Sequence, residues 1–140
     1  MPREITGFSN PLVKQVRGLR DKKNRRAEGL FLAEGLRILT EALDAGIPPK
    51  MLWHAPEGGA HPLVQKLARE TEATGGEVFV TSTDILSKLS GKDNPGAVIG
   101  VYPEMLTPLT ALDRATSGIW LVAERLRDPG NLGTILRTGD

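Results

Sequence analysis

Short apolar runs alternate with segments of helical periodicity between residues 30 and 101. Four runs have the length and the composition of buried strands, namely 30–33, 51–54, 77–80 and 97–101. In the segments between them, apolar residues recur every three or four positions, which is typical of helices that bury one face. Such alternation favours a small three-layer α/β domain around a largely parallel sheet. We predict one N-terminal helix followed by the order β-α-β-α-β-α-β.

The N-terminal helix has a clear start and a basic outer face. Asn10 precedes Pro11, and proline suits the first position of a helix. Leu12, Val16 and Leu19 then form an apolar stripe, and Lys14, Arg17 and Arg20 lie away from it. The run from Asp21 to Arg26 is predicted to be the frayed end of this helix or a solvated loop.

Charge is distributed unevenly along the chain. Residues 1–26 hold eight basic and two acidic residues, a net charge of +6, although the whole chain carries only +1. A basic arm on a near-neutral body favours contact with RNA phosphates, which supplies affinity without sequence recognition. Two alternatives are an exposed basic face that only aids solubility and a surface for acidic protein partners. The candidate RNA-binding residues are Lys14, Arg17, Lys22, Lys23, Arg25 and Arg26.

The bulk composition excludes several classes of protein. The chain has no cysteine, so a disulfide framework and a thiolate metal site are excluded. No apolar run is long enough to span a membrane, and no signal-type apolar core follows the N-terminus. A cytoplasmic protein without membrane contact is expected. His54 and His61 are seven residues apart without further ligands, so we predict loop or helix-start roles and no metal site.

The pattern of the C-terminal stretch, residues 118–140, predicts a strand, a turn and a helix. The apolar run 119–123 predicts a buried strand, and a turn of Asp, Pro, Gly and Asn follows at 128–131. Apolar residues at helical spacing then predict a helix that begins near Asn131 or Gly133. In α/β folds the ligand site lies at the carboxyl ends of the strands. Asn131 is suited to cap the helix, and the guanidinium of Arg137 is suited to a phosphate or a carboxylate.

This stretch carries a family resemblance. Residues 128–138, Asp-Pro-Gly-Asn-Leu-Gly-Thr-Ile-Leu-Arg-Thr, resemble the first motif of the SpoU/TrmH group of SPOUT RNA methyltransferases. Members of this group transfer a methyl group from S-adenosylmethionine to a ribose 2′-hydroxyl of ribosomal or transfer RNA. Gly139 stands where many members carry Ala. The segment from Asn10 to Gly35 resembles the start of the group's substrate-binding domain.

The resemblance implies a domain organisation. Its parts are a basic helix or arm at 1–26, a ribosomal-protein-like RNA substrate-binding domain at 27–102, a linker at 103–117, and the start of a SPOUT trefoil-knot domain at 118–140. The fold also occurs in proteins that bind kink-turn RNA. The two later motifs of the knot are absent from this chain. The resemblance therefore implies an N-terminal portion that is inactive alone, with the S-adenosylmethionine site beyond residue 140 and a homodimer formed through the missing knot. The alternative is a non-catalytic RNA-binding module of ribosomal-protein type.

The resemblance also implies roles for individual residues. Arg137 and Asn131 correspond to catalytic positions. Arginine is effectively always protonated, so we expect Arg137 to bind the phosphate beside the target ribose, unless the site helps it to act as a base. Glu124 resembles the acidic residue at the end of the group's first strand, and pairing of Arg137 with it is the structural alternative. Glu34 has two interpretations, a first-turn helix acid or a residue that orients an arginine or RNA.

Overall fold

The computed structural model of the chain describes residues 1–93, 96, 98–113, 115 and 118–140. The predicted turn at 92–96, the first residue of the predicted strand 97–101 and the predicted linker are therefore only partly within the described residues. The chain divides into two compact units, Met1–Met105 and Leu106–Asp140. Among the described residues, no helix is both long and apolar enough to cross a membrane.

Among its described residues, the first unit contains five strands, five α-helices and a 3₁₀ helix at Pro56–Ala60. The strands are β1 (Arg3–Ile5), β2 (Leu30–Glu34), β3 (Met51–His54), β4 (Glu77–Thr81) and β5 (Val98–Pro103). The helices are α1 (Pro11–Gly18), α2 (Lys22–Glu28), α3 (Leu36–Asp44), α4 (Pro62–Ala73) and α5 (Thr83–Ser90). The apolar runs that predicted β2 to β5 all form strands, and the class of the fold is confirmed as mixed α/β.

The strands form one sheet in the order β1-β4-β3-β5-β2. The pairs β1–β4 and β3–β4 are parallel, whereas β5 is antiparallel to both of its neighbours, β3 and β2. The predicted largely parallel arrangement therefore holds for the direction of four of the five strands and fails for β5, which makes the sheet mixed. Four strands point in one direction, and β5 runs against them between β3 and β2. The apolar pattern reports that a strand is buried but does not report its direction, because buried strands of either direction are apolar.

Two clusters of buried side chains hold the helices on the sheet. Alternate strand residues contribute to each cluster, as the two-residue period of a strand requires. Trp53, Phe79 and Ile99 join the buried residues of α1 and α5 in one cluster. The other cluster brings Leu52 and Val78 together with residues of α3 and α4. The aromatic rings of Trp53 and Phe79 lie 4.5 Å apart.

Two elements of the N-terminal segment were not predicted. The short strand β1 extends the sheet beside β4, and Arg3 lies over the ring of Phe79 at 5.0 Å and pairs with Glu77. The run predicted as a frayed end or loop is the separate helix α2, so that prediction is wrong. The side chain of Asp21 caps α2 by accepting from the backbone N–H of Lys23 at 2.7 Å. Gly29 ends it with a left-handed φ of 63°.

The second unit has few regular elements. Its only α-helix among the described residues is α6 (Pro129–Gly139), preceded by one turn of 3₁₀ helix at Leu109–Ala111. The predicted strand at 119–123 does not form, and none of its five residues is buried. A strand needs a neighbour to pair its backbone groups, and no described residue of 106–140 belongs to a sheet. Trp120, expected in a core, is 47% exposed.

Candidate nucleic-acid interface

Helices α1 and α2 present the basic residues of the N-terminal segment on a fixed frame. Val13, Val16 and Leu19 are buried and attach α1 to the sheet. Asn24 of α2 donates its side-chain N–H to the carbonyl oxygen of Gly18 at 3.0 Å. The guanidinium of Arg25 donates to the carbonyl oxygens of Leu19 at 3.0 Å and Arg20 at 2.8 Å. These bonds satisfy carbonyls at the end of α1 and fix the angle between the two helices.

A polar cleft lies at the junction of the two helices. Its volume is about 480 Å³, and its basic lining residues are Lys14, Arg17 and Arg20. Asp21 and Asn24 also line it, and both take part in the backbone hydrogen bonds that shape the junction. Three cations around one cleft form a site suited to an anionic group such as a phosphate.

The cations of this surface are available to a ligand. Lys14, Arg17, Lys22, Lys23 and Arg26 are exposed, and none makes an ion pair with another residue that the structure describes. Arg25 differs from them, because it is half-buried and its guanidinium already holds two backbone carbonyls. We call the exposed residues Lys14, Arg17, Arg20, Lys22, Lys23 and Arg26 the α1–α2 basic surface.

Arg20 is the residue that the candidate set omitted. It lines the cleft and lies beside Gly91, the residue after α5. Gly91 has a left-handed φ of 74°, and a side chain there would collide with the guanidinium of Arg20. A cation at the C-terminal end of a helix is stabilised by the helix dipole. The available sequence signal was the three-residue spacing of Arg17 and Arg20, although Arg20 lies in the turn after α1.

Glu34 does not lie in the first turn of a helix, so that interpretation is wrong. It is the last residue of β2, and Gly35 separates it from α3. Its carboxylate accepts from the backbone N–H of Gly96 at 2.7 Å and pairs with the ammonium of Lys92 at 3.1 Å. The side chain is 16% exposed. Glu34 therefore holds Lys92 and Gly96, and its cationic partner is Lys92 instead of an arginine of the basic segment.

In the second unit, the residue that caps α6 is Asp128, so the predicted capping role of Asn131 is wrong. The carboxylate of Asp128 accepts from the backbone N–H of Gly130 at 2.8 Å, and Pro129 occupies the first helical position. Asn131 lies in the first turn and is exposed. The same signal, a capping residue before proline, marks the start of α1, and it predicts this cap equally well.

Arg137 lies in the last turn of α6 and is exposed. Its guanidinium rests beside Gly133, where an added Cβ would lie 3.2 Å from Nη1. Asn131 precedes it by six residues, which is about 9 Å along a helix axis and a different face. Glu124 pairs with Arg125 at 3.7 Å and makes no described ion pair with Arg137. The unit thus presents Asn131 and Arg137 as separate exposed groups.

Both histidines have local structural roles. Nδ1 of His54 donates to the carbonyl oxygen of Ala55 at 2.8 Å, and the side chain is buried at the end of β3. Nδ1 of His61 accepts from the backbone N–H of Leu63 at 3.2 Å and caps α4. Within the described part of the chain, no group of three or more His, Cys, Asp or Glu residues is arranged to hold a metal ion.

Comparison with known proteins shows which family the chain belongs to. A model of the MRM3-like substrate binding domain matches residues 10–100. The chain belongs to this family. Its homologues and structural neighbours are rRNA and tRNA methyltransferases of the SpoU/TrmH type. The matched region contains both α1 and α2, so the α1–α2 basic surface is part of the family domain. Helix α6, with Asn131 and Arg137, lies outside that region.

Individual relatives extend over almost the whole chain. An uncharacterized tRNA/rRNA methyltransferase of Synechocystis is 37% identical over 96% of this chain and 47% of its own length. The 23S rRNA (guanosine(2553)-2′-O)-methyltransferase of Bacillus subtilis is 29% identical over 99% of this chain and 50% of its own. The chain thus spans about half the length of these two relatives.

A solved structure is similar over the same range. The AdoMet-bound rRNA methyltransferase of Sinorhizobium meliloti aligns with a TM-score of 0.78 and 36% identity. The alignment covers 98% of this chain and 50% of that one. The family domain and the segment that follows it therefore occur together in a methyltransferase with a bound methyl donor.

Proposed function

We propose that this chain is the N-terminal portion of an RNA ribose 2′-O-methyltransferase that uses S-adenosylmethionine. Residues 1–105 bind ribosomal or transfer RNA, and α6 supplies residues to a catalytic site completed by the remainder of the longer protein. The relatives named above support this proposal, because two of them are twice as long as the matched region. The observation that carries the RNA-binding part is the α1–α2 basic surface.

The basic surface suits the backbone of RNA better than a small anion. Its exposed cations are spread over two helices and around an open cleft, so they match a line of phosphates. Contacts of this kind release counterions, and log affinity falls with log salt by about 0.7–0.9 for each phosphate contact. We expect the surface to position the RNA and not to read its bases.

Two double variants with the same change of charge test RNA binding. Lys22 and Lys23 are exposed on α2, and Lys50 and Arg69 are exposed elsewhere on the same unit. Lys22→Ala with Lys23→Ala removes two contacts and flattens the slope of log affinity against log salt by about 1.5. Lys50→Ala with Arg69→Ala leaves the slope unchanged. Equal slopes for the two double variants would show that Lys22 and Lys23 do not contact RNA.

Arg137 is proposed to hold the target ribose in place. Its guanidinium is exposed and makes no described ion pair, so it is free to form two parallel hydrogen bonds with a phosphate. A permanently protonated group does not accept the proton of the 2′-hydroxyl, so this role is orientation. Holding the 2′-oxygen in line with the methyl group lowers the entropic part of the barrier. Asn131 is proposed to contact the RNA from the first turn of the same helix.

The donor is proposed to bind outside this chain. No described residue of 106–140 is buried, so these residues alone do not form an enclosed pocket for S-adenosylmethionine. When bound, S-adenosylmethionine supplies the transferred methyl group, and this chain contributes the groups that orient the RNA. The proposed homodimer likewise depends on the part of the longer protein that forms the knot.

Single-turnover methylation by the longer protein separates the orientation of the RNA by Arg137 from the binding of the methyl donor. Arg137→Ala is expected to lose most of its methyl transfer while donor affinity stays near normal. Arg137→Lys is also expected to fail, because an ammonium does not reproduce the paired donors of a guanidinium. Near-normal methylation by the Lys variant would show that charge alone suffices and would contradict the orientation role.

A further inference from the structure

A second pocket of the first unit lies next to the cleft and shares Arg20 with it. Its volume is about 410 Å³, and it is bounded by the α1–α2 junction, the edge strand β2 and the C-terminal end of α5. The size falls within the range of small-molecule sites, roughly 300–1,000 Å³. The pocket therefore has room for one nucleotide.

The pocket combines an apolar floor with a polar rim. Leu19 and Ile99, each 1% exposed, form the floor together with the half-buried Leu32. Arg20 and Ser90 line the rim. Apolar side chains next to a cation suit a ligand that has a flat apolar face and an adjacent negative charge.

Arg20 lines both the cleft at the α1–α2 junction and the second pocket. The glycine conformation of Gly91 gives its guanidinium room at the end of α5. Ser90 precedes Gly91, and its hydroxyl donates to the carbonyl oxygen of Ser87 at 3.3 Å and accepts from the N–H of Lys92 at 3.1 Å. The cation of the cleft thus lies beside Gly91, which directly follows the pocket residue Ser90.

Glu34 fixes the remaining wall. It lines the pocket, and its carboxylate ties β2 to Lys92 and Gly96. A Cβ added at Gly96 would lie 3.3 Å from Cγ of Glu34 and 3.4 Å from Cα of Gly35, so Gly96 lies against the end of β2. The walls of the pocket therefore come from parts of the chain that are joined by specific bonds.

We propose that this pocket binds one unstacked nucleotide of the RNA, with its base on the apolar floor and its phosphate at Arg20. The inference rests on the proposed RNA binding and adds a place where a base is contacted. Proteins that recognise RNA take splayed bases from loops and bulges, because the bases of a duplex are inaccessible in the deep groove. The α1–α2 basic surface positions the backbone, and this pocket adds dependence on a base.

Matched RNA hairpins test the proposal with the whole 140-residue chain. One set carries a single bulged nucleotide with each of the four bases, and the control set carries an abasic ribose at the same place. At least one bulged hairpin should bind about fivefold or more tightly than its abasic control, because only the bulged base can reach the apolar floor. The slope of affinity against salt should be the same for both sets, since their phosphates are equal.

Filling the pocket should remove this preference. Ser90→Phe places a ring in the pocket, and Thr83→Phe places the same ring on the exposed start of α5 as a control. We expect the base preference to vanish only in the Ser90 variant, with folding checked by circular dichroism. Arg20→Gln is a second variant that leaves the pocket open, and it should weaken binding of every hairpin and reduce the preference.

Each outcome has a separate meaning. Binding of all hairpins with no preference for a base would overturn the pocket and leave the proposed function intact. A preference that survives in Ser90→Phe would place base recognition elsewhere and would also overturn it. Absence of binding to every hairpin would overturn the proposed function itself.

Discussion

The segments Met51–His54 and 119–123 have similar apolar patterns and different outcomes. The first forms β3, paired with β4 on one side and β5 on the other. Residues 119–123, Ile-Trp-Leu-Val-Ala, are more apolar, yet they form no strand and are exposed. Trp53 is fully buried, whereas Trp120 is 47% exposed. An apolar run thus forms a strand only where a neighbouring strand pairs with its backbone groups and other side chains pack against it.

The helix starts of the two units show the opposite behaviour. Asn10 caps α1 with Pro11 following it, and Asp128 caps α6 with Pro129 following it. Both helices form, although one packs on a sheet and the other has no buried residue. Caps act within one turn and need no distant partner. Local signals therefore operate in both units, and tertiary signals operate only in the first.

The largest expected difference between the units is the cost of removing each tryptophan. Trp53→Ala should lower the free energy of unfolding by about 3–5 kcal/mol, because it opens a cavity beside Phe79. Trp120→Ala should change it by less than about 0.5 kcal/mol, as is usual for an exposed position. Urea denaturation of both variants measures the difference. Similar losses would show that 119–123 is part of the same cooperative core.

Alkaline pH should act on the first unit alone. The chain has a single tyrosine, and burial raises the pKa of Tyr102 to about 12. The unfolded chain releases this proton near pH 10, so the folded state binds more protons between pH 10 and 12. Stability should therefore fall as pH rises through this window, by about 2–3 kcal/mol.

Tyr102→Phe is the control for this pH effect. Its hydroxyl has no hydrogen-bond partner among the described residues, so the Phe variant should be about as stable as the parent at neutral pH. The difference between the two proteins should appear only above pH 10. A constant difference across all pH values would show that the phenol does not titrate with unfolding.

The smallest effect distinguishes the two helix caps. Asn10→Ala should lower the free energy of unfolding by about 1 kcal/mol, because α1 is packed on the core. Asp128→Ala removes a similar bond from α6 and should reduce only local helicity. Circular dichroism combined with denaturation separates the two. A global loss from Asp128→Ala would show that α6 unfolds together with the first unit.

The sequence predicted what local and periodic signals encode. The bounds of β3 match the predicted run 51–54 because they are set by residues inside the element. The direction of β5 was missed, since it depends on how the chain re-enters the sheet between β3 and β2. The helix α2 was missed because most of its residues are charged and none is buried, so no apolar stripe marks it.

The candidate site was predictable in composition and less so in geometry. The exposed cations of α1 and α2 follow from charge and from the polar side of α1. The structural bonds of Arg25 and the contact of Arg20 with Gly91 depend on how the chain folds back. The role of Glu34 depends on Gly96, 62 residues further along. Such long-range pairs leave no periodic trace in one sequence.

The central claim is that residues 1–105 fold without the second unit and carry the RNA-binding surface. The most direct test measures RNA affinity against salt concentration for a protein of residues 1–105 and for the whole chain. Every buried residue among those described lies in the first unit, so the shorter protein should fold. We predict that residues 1–105 keep most of the RNA affinity and that the two salt slopes differ by no more than about 0.7–0.9, the share of the one phosphate contact proposed for Arg137. A loss of most of the affinity, or a slope flatter by more than this, would place the main RNA contacts in the second unit and contradict the account.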